Sequence, residues 1–327
     1  MYRVGFGSYL FEPVADWYRL PADVRLAEAI GVAIDSNDNL FVFNRGEPSV
    51  IVLDRKGEFL NAWGVGLFVR PHGIWIAPDD TLYLTDDMGH SVRQFTADGT
   101  EIRTIGPSGI PSNSGADAFD HRTITQGAGP YNLPTNVVTT ADGQIFVADG
   151  YGNVRIHHFS HDAQLIKSWG QLGNGPGEFR FPHGIGIDSS GILYVADREN
   201  SRIQIFSQDG TYLREWTDVI RPCKVHVTED DTVYVAELGT RNGLFPWMER
   251  KPDAIGGRVS IFNSEGDLLS RWGGGDDATQ VGEFYAAHDI AVDSQGDVYV
   301  GEVAVTAAAL AGDDPNGLPT LRKFCRV

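Results

Sequence analysis

The sequence predicts an all-β fold: a six-bladed β-propeller of four-stranded blades, forming one domain over residues 1–327. Three observations predict it. One motif recurs six times. Each copy reads as short strands separated by turns. The last copy stops after its third strand, and the N-terminal segment can supply the fourth.

The repeat is plainest from Pro182, PHGIGIDSSGILYVADRENSRIQIFSQDGTYLREW. The same frame runs from Pro71 (PHGIWIAPDDTLYLTDD), from Pro134 (PTNVVTTADGQIFVADGYGN) and from Ile30 (IGVAIDSNDNLFVFN). It runs again from Pro222 (PCKVHVTEDDTVYVAELG) and from Ala287 (AHDIAVDSQGDVYVGEV). Within a copy, a short apolar run is followed by a DG, SG or QG turn, which is hairpin punctuation. The second run alternates β-formers, as in ILYVAD. The third, RIQIF, leads through another turn to YLREW. Helical periodicity is absent throughout, so no helix is expected. The chain ends at Val327 after the sixth copy's third strand, and YRVGFGSYLFEP resembles the stretch that follows a third strand elsewhere. It is therefore expected to pair beside Leu321–Val327 and close the ring, removing a free sheet edge. Insertions at Pro107–Tyr131, Thr240–Ile255 and Ala304–Gly317 interrupt the frame and are expected over one face.

Composition narrows the function classes. The formal charge is −18, which argues against nucleic acid, because phosphate contacts need a basic patch. No run approaches the roughly 20 apolar residues of a membrane span. The N-terminus has no basic start followed by a long apolar stretch, so no secretory signal is read. Two cysteines, Cys223 and Cys325, imply no disulfide framework, and a reducing, cytoplasmic setting is expected. A monomer acting on a small-molecule or peptide-like substrate is the partner expectation.

The first strand of each propeller blade lines the central channel, so the residue after the blade-opening position sits at one rim. Around the ring these residues are Gly31, His72, Thr135, His183, Cys223 and His288. The histidines fall on blades two, four and six. Blades alternating around a six-fold ring are related by about a third of a turn. Three equivalent imidazoles would then converge with one coordination position open, as in a catalytic zinc site. A PHG consensus without chemistry is the competing reading, and restriction to alternate blades favours the ligand set. Second strands end at the same rim, and Arg45 and Tyr151 follow them in blades one and three. The acids there, Asp86, Asp149, Asp197, Glu237 and Glu302, also fit simple turn chemistry. His90, His121, His157, His158, His161 and His226 have no equivalence and read as structural or exposed.

DGYGNVRIHHFS, SWGQLGNGPGEFRFPHGIGID and ADRENSRIQIF resemble the catalytic domain of peptidyl-α-hydroxyglycine α-amidating lyase, an NHL-repeat propeller. The resemblance covers most of the chain and is sharpest from Pro130 to Trp216. It implies a zinc ion on His72, His183 and His288, a catalytic arginine at Arg45 in FNRGEP, and a catalytic tyrosine at Tyr151 in DGYGN. It also implies a structural calcium on Asp289, with backbone oxygens near Val32 and Ile74. Two departures stand out: Ala286-Ala287 replace the family's Met-Pro before the third histidine, and Gly152 replaces a cysteine. The activity implied is zinc-dependent carbon–nitrogen lyase cleavage of an N–C(OH) carbinolamide, releasing amide and glyoxylate. The alternatives are a metal-dependent hydrolase or lyase on another small carboxylated metabolite, and a non-enzymatic NHL-type protein-binding scaffold.

Overall fold

The computed structural model describes residues 2–245 and 247–327. Its strands assemble into six antiparallel sheets, the six blades of a β-propeller. The chain divides into two compact units, Met1–Ala62 with Val219–Val327, and Trp63–Asp218.

The unit Trp63–Asp218 holds blades two, three and four. Their first strands are Pro71–Ile76, Asn136–Thr139 and Pro182–Ile187; their second strands are Leu82–Asp86, Ile145–Asp149 and Leu193–Asp197. Each first hairpin turns at Asp80, Gly143 or Gly191, all with φ near +60° to +85°. Glycine adopts that left-handed geometry without strain, and Asp is one of the few other residues that tolerates it. The repeated pairing of a DG turn with a tryptophan has a packing cause. The Trp63 indole, ending a fourth strand, lies where a Cβ on Gly99 would meet it at 2.5 Å, and Trp169 lies 2.8 Å from the same point on Gly210. Each glycine thus supplies both the turn and the flat seat for the previous blade's indole. Between blades three and four, Val138, Phe146, Ile156, Phe179, Ile185 and Phe206 form one buried cluster.

The other unit holds blades one, five and six, whose first strands are Ala29–Ile34, Pro222–Val227 and Ala287–Val292. Blade six runs in the order Ala287–Val292, Val298–Glu302, Leu321–Arg326, Tyr9–Val14, Val4–Phe6. The N-terminal segment pairs antiparallel with the C-terminal strand, Phe11 opposite Arg326 and Val14 opposite Lys323. It adds a fifth strand as well as the expected fourth. Phe11, Trp272, Phe284 and Phe324 pack behind it.

One expectation needs correction. Ala304–Ala311 is an α-helix, ended by Gly312 at φ 81°. AVTAAALA is rich in the strongest helix former, and an inserted segment escapes the strand-periodic frame. Among the described residues no helix is long and apolar enough to cross a membrane, and Cys223 and Cys325 form no disulfide.

Candidate metal centre and catalytic residues

The position after the blade-opening residue is special for a backbone reason. In blade two Pro71 pairs with Asp86 and Gly73 with Thr85, so the register skips His72. The same bulge skips His183 in blade four and His288 in blade six. A β-bulge turns the extra residue's side chain out of the sheet's alternation. In blade one the skipped residue is Ile30, not Gly31, and in blade five it is Cys223. The expectation for blade one was off by one residue, because no proline marks the opening there and IG offers two frames.

The repeated acids hold these strand starts in place. Asp86 accepts the backbone N–H groups of Val69 and Arg70 at 2.7 and 2.9 Å. Asp197 accepts Arg180 N–H at 2.7 Å, and Glu302 accepts Tyr285 N–H at 2.8 Å and Ala286 N–H at 3.3 Å. In each case the carboxylate docks the segment two to three residues ahead of a histidine. Burial pushes the Asp197 carboxyl up to about 6 and raises Glu302, even though Arg202 and Arg322 lie beside them. These groups are structural, and their work reaches beyond the turn.

Within the unit Trp63–Asp218, three predicted residues meet. The His72 Nδ1–H donates to the Thr135 carbonyl at 2.7 Å, which leaves the Nε2 lone pair facing inward. The Tyr151 hydroxyl lies 2.9 Å from His72 Nε2 and 3.1 Å from His183 Nε2. The local sequence DGYG explains how the phenol arrives there. A Cβ on Gly150 would sit 2.1 Å from the Pro182 carbonyl oxygen, and one on Gly152 would sit 2.4 Å from Asn132 Oδ1. Only glycine permits that approach on both sides, so Gly152 has no room for the cysteine it replaces. The Tyr151 ring packs on Phe181 and Phe119 at centroid distances of 4.6 and 5.2 Å. Sequence reasoning passed over Arg198. Its buried guanidinium lies 5.6 Å from the Tyr151 ring centroid and 4.2 Å from that of Phe181, and pairs with Glu199 at 2.9 Å. Its signal was present, since it follows Asp197 as Tyr151 follows Asp149 and Gly150.

Within the other unit, the His288 Nδ1–H donates to the Ile30 carbonyl at 2.7 Å. Ile30 is the bulge residue of the next blade, as Thr135 is the matching residue of the blade after His72. Both histidines are therefore oriented by the same repeat-derived bond, the outer-sphere arrangement that fixes a metal-binding imidazole. Arg45 directly follows the second strand of blade one, Leu40–Asn44. Its Nη1 lies 3.3 Å from Glu28 Oε2, and Glu28 also accepts the Thr306 N–H and hydroxyl at 2.7 and 2.6 Å. His72 and His183 are buried in the unit Trp63–Asp218, and His288 is buried in the other unit. Imidazoles are ligands suited to a borderline ion such as zinc, and His72 and His288 each have Nδ1 committed to a carbonyl.

Asp289, the residue expected to hold a structural calcium, is buried. Asp289 accepts the N–H of Ile290 at 2.8 Å, and the Val32 N–H also favours its charged form. The nearby charge is the buried ammonium of Lys224. Burial raises the Asp289 carboxyl to about 6 and lowers Lys224, and each charge partly offsets the other's shift. Ile74 lies on the first strand of blade two, in the other unit.

Fold and repeat define the class: the NHL repeat family matches residues 179–206, the entry to blade four and its first three strands. Relatives extend the likeness. The chain is 30% identical to mouse peptidyl-glycine alpha-amidating monooxygenase over 335 residues, 90% of this chain but 31% of that protein. It is 27% identical to peptidyl-alpha-hydroxyglycine alpha-amidating lyase 1 of Drosophila melanogaster, over 86% of this chain and 56% of that protein. It is also 31% identical to human NHL repeat-containing protein 3 over 63% of this chain and 61% of that protein. The chain thus spans about a third of the first relative's length. Among solved structures, a streptogramin B lyase superposes with a TM-score of 0.59 at 10% identity, covering 96% of both chains, which speaks to the fold alone.

Proposed function

We propose that this protein is a zinc-dependent lyase that cleaves the N–C(OH) bond of a peptidyl-α-hydroxyglycine-like carbinolamide, releasing an amide and glyoxylate. The observation that supports it most is the Tyr151 phenol held between the Nε2 atoms of His72 and His183. A phenol in that place adjoins both the metal ligands and any substrate oxygen brought to them. The reading treats the two units as one domain, with His72, His183 and His288 as the ligands.

When bound, zinc would supply Lewis acidity toward a substrate oxygen. Tyr151, as phenolate, takes the proton of the carbinol hydroxyl. The O–H electron pair becomes the second bond of the aldehyde carbonyl. The C–N pair leaves on the amide nitrogen, which takes up the proton Tyr151 removed, so charge and atoms balance. Arg45, always cationic and forked, holds the substrate carboxylate, and Glu28 orients it. Arg198 stacks on the Phe181 ring beside Tyr151 and adds a second positive charge that favours the phenolate.

The direct test supplies α-hydroxyhippurate to zinc-loaded protein and follows glyoxylate. A second reading, a binding scaffold without turnover, is compatible with the similarity to human NHL repeat-containing protein 3, whose name carries no activity. Metal-free purified protein with no glyoxylate release would favour the scaffold. Stoichiometric zinc without release would keep the metal centre and change the substrate.

A further inference from the structure

The Tyr151 hydroxyl ends a long side chain, so its place depends on how firmly the main chain around it is held. A displacement of about 1 Å at a reacting group costs on the order of a hundredfold in rate. Buried polar side chains hold that stretch from both sides. Ser114, in the Pro107–Tyr131 insertion, donates its hydroxyl to the Gly152 carbonyl. The Gly152 N–H donates to the Asn132 carbonyl at 3.0 Å. The Asn132 side-chain amide donates at 3.0 Å to Ser114 Oγ and at 3.1 Å to the Ser112 carbonyl. Its main-chain N–H donates to the Asp149 carboxylate at 3.0 and 3.1 Å. Asn153 donates to the Ala128 and Gly129 carbonyls and to Asp149, and accepts the Ala128 N–H at 3.0 Å. Ser114, Asn132 and Asn153 are 0%, 7% and 0% exposed. A hydroxyl or amide in so dry a place must be bonded there, and removing one partner strands the other.

We infer that Ser114 and Asn132 are positioning residues: they fix the two peptide planes that follow Tyr151 and through them hold its phenol at the His72 and His183 imidazoles. Glycine at 152 is what the close approach to Asn132 requires, and glycine is also the residue with the most backbone freedom. The bonds to its N–H and to its carbonyl remove that freedom. The insertion therefore reaches the phenol by two routes. Phe119 packs on the ring at 5.2 Å between centroids, and Ser114 ties down the main chain behind it. Asn132 joins the two, since one residue bonds Ser114, Gly152 and Asp149. The inference rests on the reading above in one respect, that Tyr151 is the base.

The test is Ser114→Ala in zinc-loaded protein, read by α-hydroxyhippurate kinetics, zinc content and amide deuterium exchange over residues 149–153. The variant lacks one oxygen. It should keep its zinc and a KM near the parent's, and lose about tenfold or more in kcat. Exchange over 149–153 should quicken, because the stretch opens more easily. In the Tyr151→Phe background the same substitution should cost little further rate, since no phenol is left to misplace. Asn132→Asp, of the same shape without the amide donors, should follow Ser114→Ala, and it carries the same readings if Ser114→Ala does not fold. An unchanged kcat, or a loss as large in Tyr151→Phe protein as in the parent, would overturn the inference. If the parent releases no glyoxylate, the lyase reading fails by itself and exchange decides the clamp: faster exchange in the variant supports it, and unchanged protection overturns it.

Discussion

Replacing Tyr151 by Phe removes one oxygen and leaves the ring. That oxygen lies 2.9 and 3.1 Å from two imidazole nitrogens, while the ring keeps its contacts with Phe181 and Phe119. The folding cost should be small: at most two hydrogen bonds, each worth about 1 kcal/mol net. The catalytic cost should be large, since a positioned general base contributes about 10²–10⁴ in rate. At about 1.4 kcal/mol per tenfold, that is roughly 3–5 kcal/mol of barrier. The two costs separate in measurement. Elemental analysis of Tyr151→Phe should show zinc retained, because His72 Nδ1 stays bonded to Thr135 O and needs no phenol to orient it. Glyoxylate release from α-hydroxyhippurate should fall by at least a hundredfold in kcat. A Tyr151→Phe protein that cleaves as fast as the parent would refute the base assignment. One that loses its zinc would show that the phenol serves the metal rather than the substrate.

Three further outcomes are expected. His183→Ala should lose zinc and activity together, and full zinc occupancy by elemental analysis would remove His183 from the ligand set. Arg45→Lys should keep the ion pair with Glu28 yet lose about tenfold or more in kcat/KM, because a point charge cannot hold a carboxylate through two bonds; unchanged kinetics would exclude Arg45 from substrate binding. Asp197, with its carboxyl raised to about 6 by burial, should show the linkage sign of an acid that binds its proton more tightly when folded. Its stabilising contribution is full below about pH 4 and is lost as pH rises to about 6. The melting temperature of the parent relative to Asp197→Asn should therefore increase from pH 7 to pH 5, and a gap that stays constant or shrinks would contradict the burial argument.

What the sequence made legible follows its repeat. Blade count, hairpin turns, the closing N-terminal strand and the three histidines all depend on spacing along the chain, and PHG states the spacing twice without ambiguity. What it hid depends on contacts between chain-distant residues or on a single residue of register. The bulge at Ile30 is invisible because IG carries no proline to mark the frame. The acids at second-strand ends look like turn residues locally, and only the fold shows Asp86, Asp197 and Glu302 docking the strands that bear the histidines.

The repeat also explains why a metal centre can arise on this scaffold at little structural cost. A bulge at the same place in several blades turns one side chain out of the sheet, whatever that side chain is. The carbonyl of the matching residue in the next blade is already there to accept an Nδ1–H, as Thr135 does for His72 and Ile30 does for His288. Placing histidine at a bulge therefore orients it without any new second-sphere residue. Specific chemistry must come from where the repeat is broken. Tyr151 reaches the imidazoles only because Gly150 and Gly152 let the chain pass against Pro182 and Asn132. Alanine at Gly152 should accordingly damage activity through the position of Tyr151, while leaving the bonds that orient His72 and His288 in place.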